Sequence, residues 1–177
     1  VREEKLLVNS EGTRLHQRYF RIAPSLSATA IDRRGGVFAS RNYEVPPMLA
    51  GWEFVDHAGM DQDATSVGVD VLRKLNAASV TPGPRTVILA PSNLWLTIHE
   101  SIGHPTELDR SRGLEANYAG TSFIKPDDAG RLMLGSDLVD VRADRTQPGG
   151  LATTGWDDDG VPAQRWAMVD RGRFVGW

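Results

Sequence analysis

Two proline clusters, Pro46-Pro47 and Thr81-Pro82-Gly83-Pro84, decide how this chain can be divided. A proline donates no backbone hydrogen bond and does not continue a helix, so neither a β-ladder nor a helix runs through either cluster. Ahead of the first cluster the pattern is that of antiparallel strands. Lys5 to Asn9 is a short strand, Ser10-Glu11-Gly12 a turn in which Gly12 is free to take positive φ, and Thr13 to Ile22 a second strand. Ser25 to Asp32 alternates Leu26, Ala28 and Ala30 against Ser25, Ser27 and Thr29, the two-residue period of a half-buried strand. Arg33-Arg34-Gly35-Gly36 turns the chain into Val37 to Glu44. Between the clusters, Asp63 to Ala78 has helical spacing, with Val67, Val71, Leu72, Leu75 and Ala78 near one face and Asp61 or Asp63 as the cap. The second cluster sets the expected boundary between a first domain, residues 1–83, and a second, residues 84–177.

The second part opens with Thr86-Val87-Ile88-Leu89, a β-branched-rich run suited to a buried strand. Ser92 or Asn93 then caps a helix whose apolar face is Leu94, Trp95, Ile98 and Ile102. From Leu114 onward the chain is rich in Gly and Asp and reads as turns and short strands: Ser122-Phe123-Ile124, Leu138 to Val141, Trp166 to Val169 and Phe174 to Trp177. The expected fold class is α+β. An antiparallel strand meander plus helix is followed by the start of a second, mostly antiparallel β domain carrying a motif helix. The chain begins without Met and stops at Trp177 inside what reads as a hairpin strand, as a fragment of a longer protein would.

Composition narrows the function classes. With 177 residues, 40% hydrophobic and 24% charged, the chain can bury a core. A net charge of −3 supplies no chain-wide basic field for nucleic acid or anionic membrane. There is no cysteine, hence no disulfide and no thiolate nucleophile or metal ligand, which fits a cytoplasmic location. The N-terminus, Val1-Arg2-Glu3-Glu4-Lys5, lacks a signal-peptide pattern, and no apolar run approaches the roughly 18 residues a membrane span needs.

The chemistry concentrates in Ile98-His99-Glu100-Ser101-Ile102-Gly103-His104-Pro105-Thr106-Glu107-Leu108-Asp109, which holds two of the four histidines. Neutral imidazoles are good zinc ligands, and a zinc-bound water needs a nearby base. His99 and His104 are the candidate ligands and Glu100 the candidate base. Their spacing is five, where the common metallopeptidase helix uses four. On a regular α-helix five residues leave the two side chains about 140° apart, too far to share one ion. A single π-bulge restores the alignment; Gly103 would tolerate it, and Pro105 ends the helix soon after. The helix is therefore expected to be irregular between the histidines.

This stretch resembles the peptidase motif of the TldD/PmbA family, also described as modulators of DNA gyrase. Members like TldD carry His-Glu-x-x-x-His followed by Gly-Leu-Glu-Gly-Asp or similar. His99, Glu100 and His104 match directly, and Glu107 and Asp109 match the later acidic positions, whereas Pro105, Thr106 and Leu108 replace the family's usual residues. Asn9-Ser10-Glu11-Gly12, Gly120-Thr121-Ser122-Phe123 and Asp157-Asp158-Asp159-Gly160-Val161-Pro162 are similar to further family signatures in the same order. The resemblance implies a cytoplasmic, zinc-dependent peptidase acting on unfolded or flexible peptides. It implies a two-subunit assembly, with a TldE/PmbA-like partner or as a homodimer, that encloses the site. This chain resembles the catalytic kind, since the partner lacks the His-Glu motif. Glu107 and Asp109 become candidates for contacting substrate or supporting the ligands. The family's third zinc ligand is a downstream cysteine, which this chain does not contain, so the chain alone is expected to hold zinc weakly.

Other readings rank lower. Asp157-Asp158-Asp159-Gly160 lacks the alternation and closing Glu of a calcium loop and reads as a solvated turn. Arg110-Ser111-Arg112 offers a phosphate or peptide-carboxylate contact, but a surface charge pair beside Glu107 and Asp109 is the simpler reading. His16, in a strand, and His57, in a loop, read as structural or exposed, and the five tryptophans as packing residues. The rival function is a non-catalytic binding or assembly module whose exposed strands pair with another chain. Direct nucleic-acid binding has no basic stripe to support it.

Overall fold

The first hairpin is closed by a side chain. Asn9 Oδ1 accepts the backbone N–H groups of Glu11 and Thr13, each at 3.0 Å, and Gly12 takes φ 89°. This turn joins β1 (Arg2–Val8) to β2 (Arg14–Ile22) in antiparallel register, Leu6 opposite His16. The computed structural model describes residues 1–177, which fall into two units: 1–87 with 148–152, and 88–147 with 153–177.

In the first unit the expected meander is two separate sheets. Pro24 interrupts the chain after β2, and β3 (Ser27–Asp32) pairs only with β4 (Val37–Asn42). The two-residue β5 (Met48–Leu49) instead adds to β2, giving the order β1-β2-β5, and the Leu49 N–H bonds to the Gly149 carbonyl at 2.8 Å. A short helix that the pattern did not announce, α1 (Glu53–His57), precedes α2 (Met60–Leu75). His57 thus closes a helix instead of lying in a loop. Helix α2 begins three residues earlier than expected, with Gly59 at φ 69° in the cap position, so neither Asp61 nor Asp63 caps it; both sit in the first turn, where carboxylates favour the helix dipole. Its buried stripe is Val67 and Val71, with Leu75 one turn further, packed on Ala28, Ala30 and Ala39 of the β3–β4 hairpin. Small residues on the strands let the helix approach. Leu72 points outward, because a three-alanine surface covers only a narrow helical stripe.

Thr86 to Leu89, where the first unit gives way to the second, forms no strand: Ile88 is 99% exposed, and no segment of the chain offers that run a ladder. Helix α3 (Pro91–Ile98) follows, with Ala90 in the cap position and Pro91 at its first turn, in place of capping by Ser92 or Asn93. None of its residues is buried, so the apolar face read from Trp95 and Ile98 faces outward in this chain. A short helix α4 (Leu108–Ser111) follows the motif. A three-stranded antiparallel sheet, β6 (Val141–Asp144), β7 (Arg165–Asp170) and β8 (Arg173–Phe174), completes the unit in the order β6-β7-β8. Its core holds Ile124, Val169 and Phe174, all essentially inaccessible. Phe123-Ile124 is a bend, so the strand expected there is absent, and the strand expected from Leu138 begins only at Val141, after a turn at Asp137-Leu138. Residues 175–177 likewise form no strand, β8 ending at Phe174; Trp177 instead packs edge-on against the Phe174 ring at 5.0 Å. Asp157 Oδ1 accepts the N–H groups of Asp159 and Val161, closing the solvated turn. The observed class, antiparallel sheets with a few helices, is α+β.

Candidate metal centre

Beyond Ile98 the motif helix widens. The His104 N–H donates to the His99 carbonyl, an i to i+5 bond, and His99–Gly103 form one π-turn. Five residues then complete a turn, so His104 returns over His99. The two imidazole centroids lie 4.2 Å apart with planes at 71°. The irregularity expected from the spacing is the one observed. Gly103 is not what permits it: at φ −54° and ψ −64° it has helical dihedrals, and a methyl group there would lie 3.8 Å from the Ile98 carbonyl oxygen, an ordinary contact.

The next turn shows what holds the distortion. Pro105 has no N–H to offer, and the widened turn leaves carbonyls without their α-helical partners. Thr106, only 5% exposed, supplies a hydroxyl 2.7 Å from the Ile102 carbonyl and 3.0 Å from that of Gly103. The Pro105 carbonyl accepts the Ser122 hydroxyl at 2.6 Å, and Ser122 Oγ in turn accepts the buried Ile124 N–H. Ser111 Oγ donates to the Ile124 carbonyl at 2.7 Å. The 122–124 bend is thus a brace under the motif, which is why it is not a strand. A Thr four residues after Ile102 carried a local signal for such back-bonding; Ser122 carried none.

His99, Glu100 and His104 gather three possible ligand atoms within 4.8 Å of one another, His99 and Glu100 exposed and His104 half-buried. Ligands of a tetrahedral zinc ion stand about 3.3 Å apart. The group is therefore assembled to within small side-chain rotations, and its two imidazoles and carboxylate suit a borderline transition metal such as zinc. Asp109 is exposed on α4 and lies outside this group. Glu107 adjoins it through His104: Glu107 Oε1 is 2.7 Å from His104 Nδ1, and Glu107 Oε2 is 2.6 Å from Arg110 Nε. Burial raises the Glu107 carboxyl's pKa, but the hydrogen bonds from His104 and Arg110 outweigh it and hold the group below the ordinary carboxylate range. Arg110 therefore pairs with Glu107, as the charge-pair reading expects, but the arginine is drawn inward instead of lying at the surface.

Residues 82–177, more than half of the chain, match the family described as the PmbA/TldA metallopeptidase C-terminal domain. A protein named metalloprotease from Synechocystis is 28% identical over 97% of this chain and 34% of its own length. Another so named, from Methanothermobacter thermautotrophicus, is 23% identical over 93% of this chain and 34% of its own length. The chain thus spans about a third of the length of these relatives. No solved structure matches it. No helix is long and apolar enough to cross a membrane.

Proposed function

The chain belongs to the PmbA/TldA metallopeptidase family, and from that premise we propose that it supplies the His-Glu-His part of a zinc-dependent peptidase centre for unfolded or flexible peptides. The observation that carries this reading is the π-turn that brings His99 and His104 edge to face and puts a ligand atom of each, and of Glu100, within 4.8 Å of one another. When bound, zinc supplies a Lewis acid for the peptide carbonyl and lowers the pKa of a water to about 7. His99 and His104 would hold the ion. Glu100, exposed and therefore reachable by solvent and peptide, takes the proton of the attacking water and delivers it to the leaving amine.

Catalytic zinc usually has three protein ligands. This chain contributes two histidines and no cysteine, and we place the third ligand outside residues 1–177. A TldE/PmbA-like subunit or a second copy enclosing the site belongs to the same proposal, as does a cytoplasmic location.

Glu100→Gln in the full-length protein tests the assignment. It keeps size and removes the base, so metal content should persist while turnover falls by about 10²-fold or more. Near-normal turnover removes Glu100 from the mechanism. A full-length protein that holds no stoichiometric metal refutes the peptidase reading and leaves the assembly module.

A further inference from the structure

Resting on the zinc-site reading above, we propose that Glu107 and Arg110 are a positioning pair for His104, fixing which of its ring nitrogens is offered to the metal. A carboxylate has no proton to give, so the 2.7 Å contact between Glu107 Oε1 and His104 Nδ1 requires the proton to sit on Nδ1. In the neutral ring the lone pair then lies on Nε2, the only ring nitrogen left to ligate. The same contact makes the imidazole a better donor, as hydrogen-bonded carboxylates do for metal-bound histidines.

Arg110 keeps the carboxylate in place. Its Nε donates to Glu107 Oε2 at 2.6 Å, opposite the oxygen that faces His104. Its Nη1 donates to the Ala119 carbonyl at 3.0 Å, and Glu115 Oε2 lies 3.6 Å from Nε. With 18% of its side chain exposed and three partners, the guanidinium is an anchored group, unlike a free surface arginine. The backbone makes the alignment possible. Glu107 is the single extended residue, at ψ 115°, between the turn ending at Thr106 and α4, which puts residues 104, 107 and 110 in line.

Glutamate is chemically specific here because both of its oxygens face donors. A glutamine has one oxygen and one NH2. If its oxygen serves Arg110, its NH2 donates to Nδ1 and favours the Nε2–H tautomer, whose lone pair on Nδ1 is then held by the amide and not offered to the metal. If its oxygen serves His104, the NH2 opposes the Arg110 N–H.

Two measurements on the full-length protein test the pair. Long-range 1H–15N spectra of the metal-free protein at pH about 8, above the ordinary imidazole range, report the His104 tautomer. Zinc titration reports affinity. The wild type should show the Nδ1–H form. Glu107→Gln should shift the population toward Nε2–H and weaken zinc by about 10- to 100-fold. Arg110→Gln should move both readouts in the same direction by less, and Arg110→Lys should recover part of the loss. Arg112→Gln, an exposed charge two residues away, should match the wild type. A wild-type His104 in the Nε2–H form overturns the proposal and needs no variant to fold. So does a Glu107→Gln protein whose tautomer is unchanged, whatever its affinity, since loss of affinity alone would be a structural effect. If the wild type takes up no zinc, the peptidase reading fails, while the tautomer still decides whether Glu107 and Arg110 orient the ring.

Discussion

Replacing Thr106 by Val probes whether the π-turn is held from below. Valine keeps the shape and the β-branched χ1 preference of threonine and removes only the hydroxyl. In the native turn that hydroxyl serves the Ile102 carbonyl at 2.7 Å and the Gly103 carbonyl at 3.0 Å, in a pocket that leaves Thr106 5% exposed. A single O–H divides its donation between two acceptors, so the bond itself is worth about 1 kcal/mol. Its removal also strands polar oxygens away from water at a further cost of order 1 kcal/mol, giving about 2 kcal/mol in all. For a chain of this size that corresponds to a fall in Tm of about 4–8 °C. Urea unfolding should show a lower midpoint with unchanged slope. Zinc affinity should fall with it, because the freed turn can relax toward regular helix and carry His104 away from His99. Thr106→Ser, which keeps the hydroxyl, should lose much less. A valine variant within about 0.5 kcal/mol of wild type, or a serine variant as damaged as the valine one, would refute the idea that Thr106 holds the distortion.

Gly172 follows Arg171, at φ 43°, in the turn between β7 and β8 and itself has φ 75°; a methyl group there would lie 2.3 Å from the Gly135 carbonyl oxygen and 2.4 Å from that of Ser136. Gly172→Ala should therefore cost more than about 2 kcal/mol in thermal or urea unfolding, and a neutral result would mean that the 134–136 segment does not pack there. Glu4 is held at a pKa of about 2, against an ordinary 4.5, by hydrogen bonds from Arg2 and Arg18. Because the folded value is depressed, its contribution to the β1–β2 pair is fully present above pH 4.5 and is lost as pH falls toward 2. A carboxyl NMR titration of Glu4 should show the low midpoint rising with added salt, and an ordinary midpoint at low salt would show that the exposed cluster does not form.

How much of this was legible in the sequence depends on how local the cause is. The His99-Glu100-His104 grouping was legible because five-residue spacing and a shared ion are incompatible on a regular helix, and the conflict has a local remedy. The Asn9 turn, the α2 stripe at Val67 and Val71 and the solvated Asp157 turn were legible for the same reason: each closes within a few residues. Thr86 to Leu89 was misread because β-propensity describes a side chain's fit to a pleated surface and says nothing about whether a partner ladder exists. Gly103 tolerates the π-turn, but with ordinary helical dihedrals any residue there would do so.

The sequence by itself determined that two histidines and a carboxylate would lie on one distorted helix, and that antiparallel strands would be accompanied by a helix whose stripe includes Val67 and Val71. Tertiary structure alone decided that β3 and β4 leave the β1-β2-β5 sheet and that residues 122–124 bend beneath the motif. It also carried the Arg110 Nη1 to the Ala119 carbonyl. The physical reason is the range of the interactions. A helical turn is closed by hydrogen bonds spanning four or five residues, so its pattern is written in adjacent letters. The Ser122 brace reaches across 17 residues to Pro105, and which hydroxyl meets which carbonyl over that distance is fixed only when the intervening chain has folded.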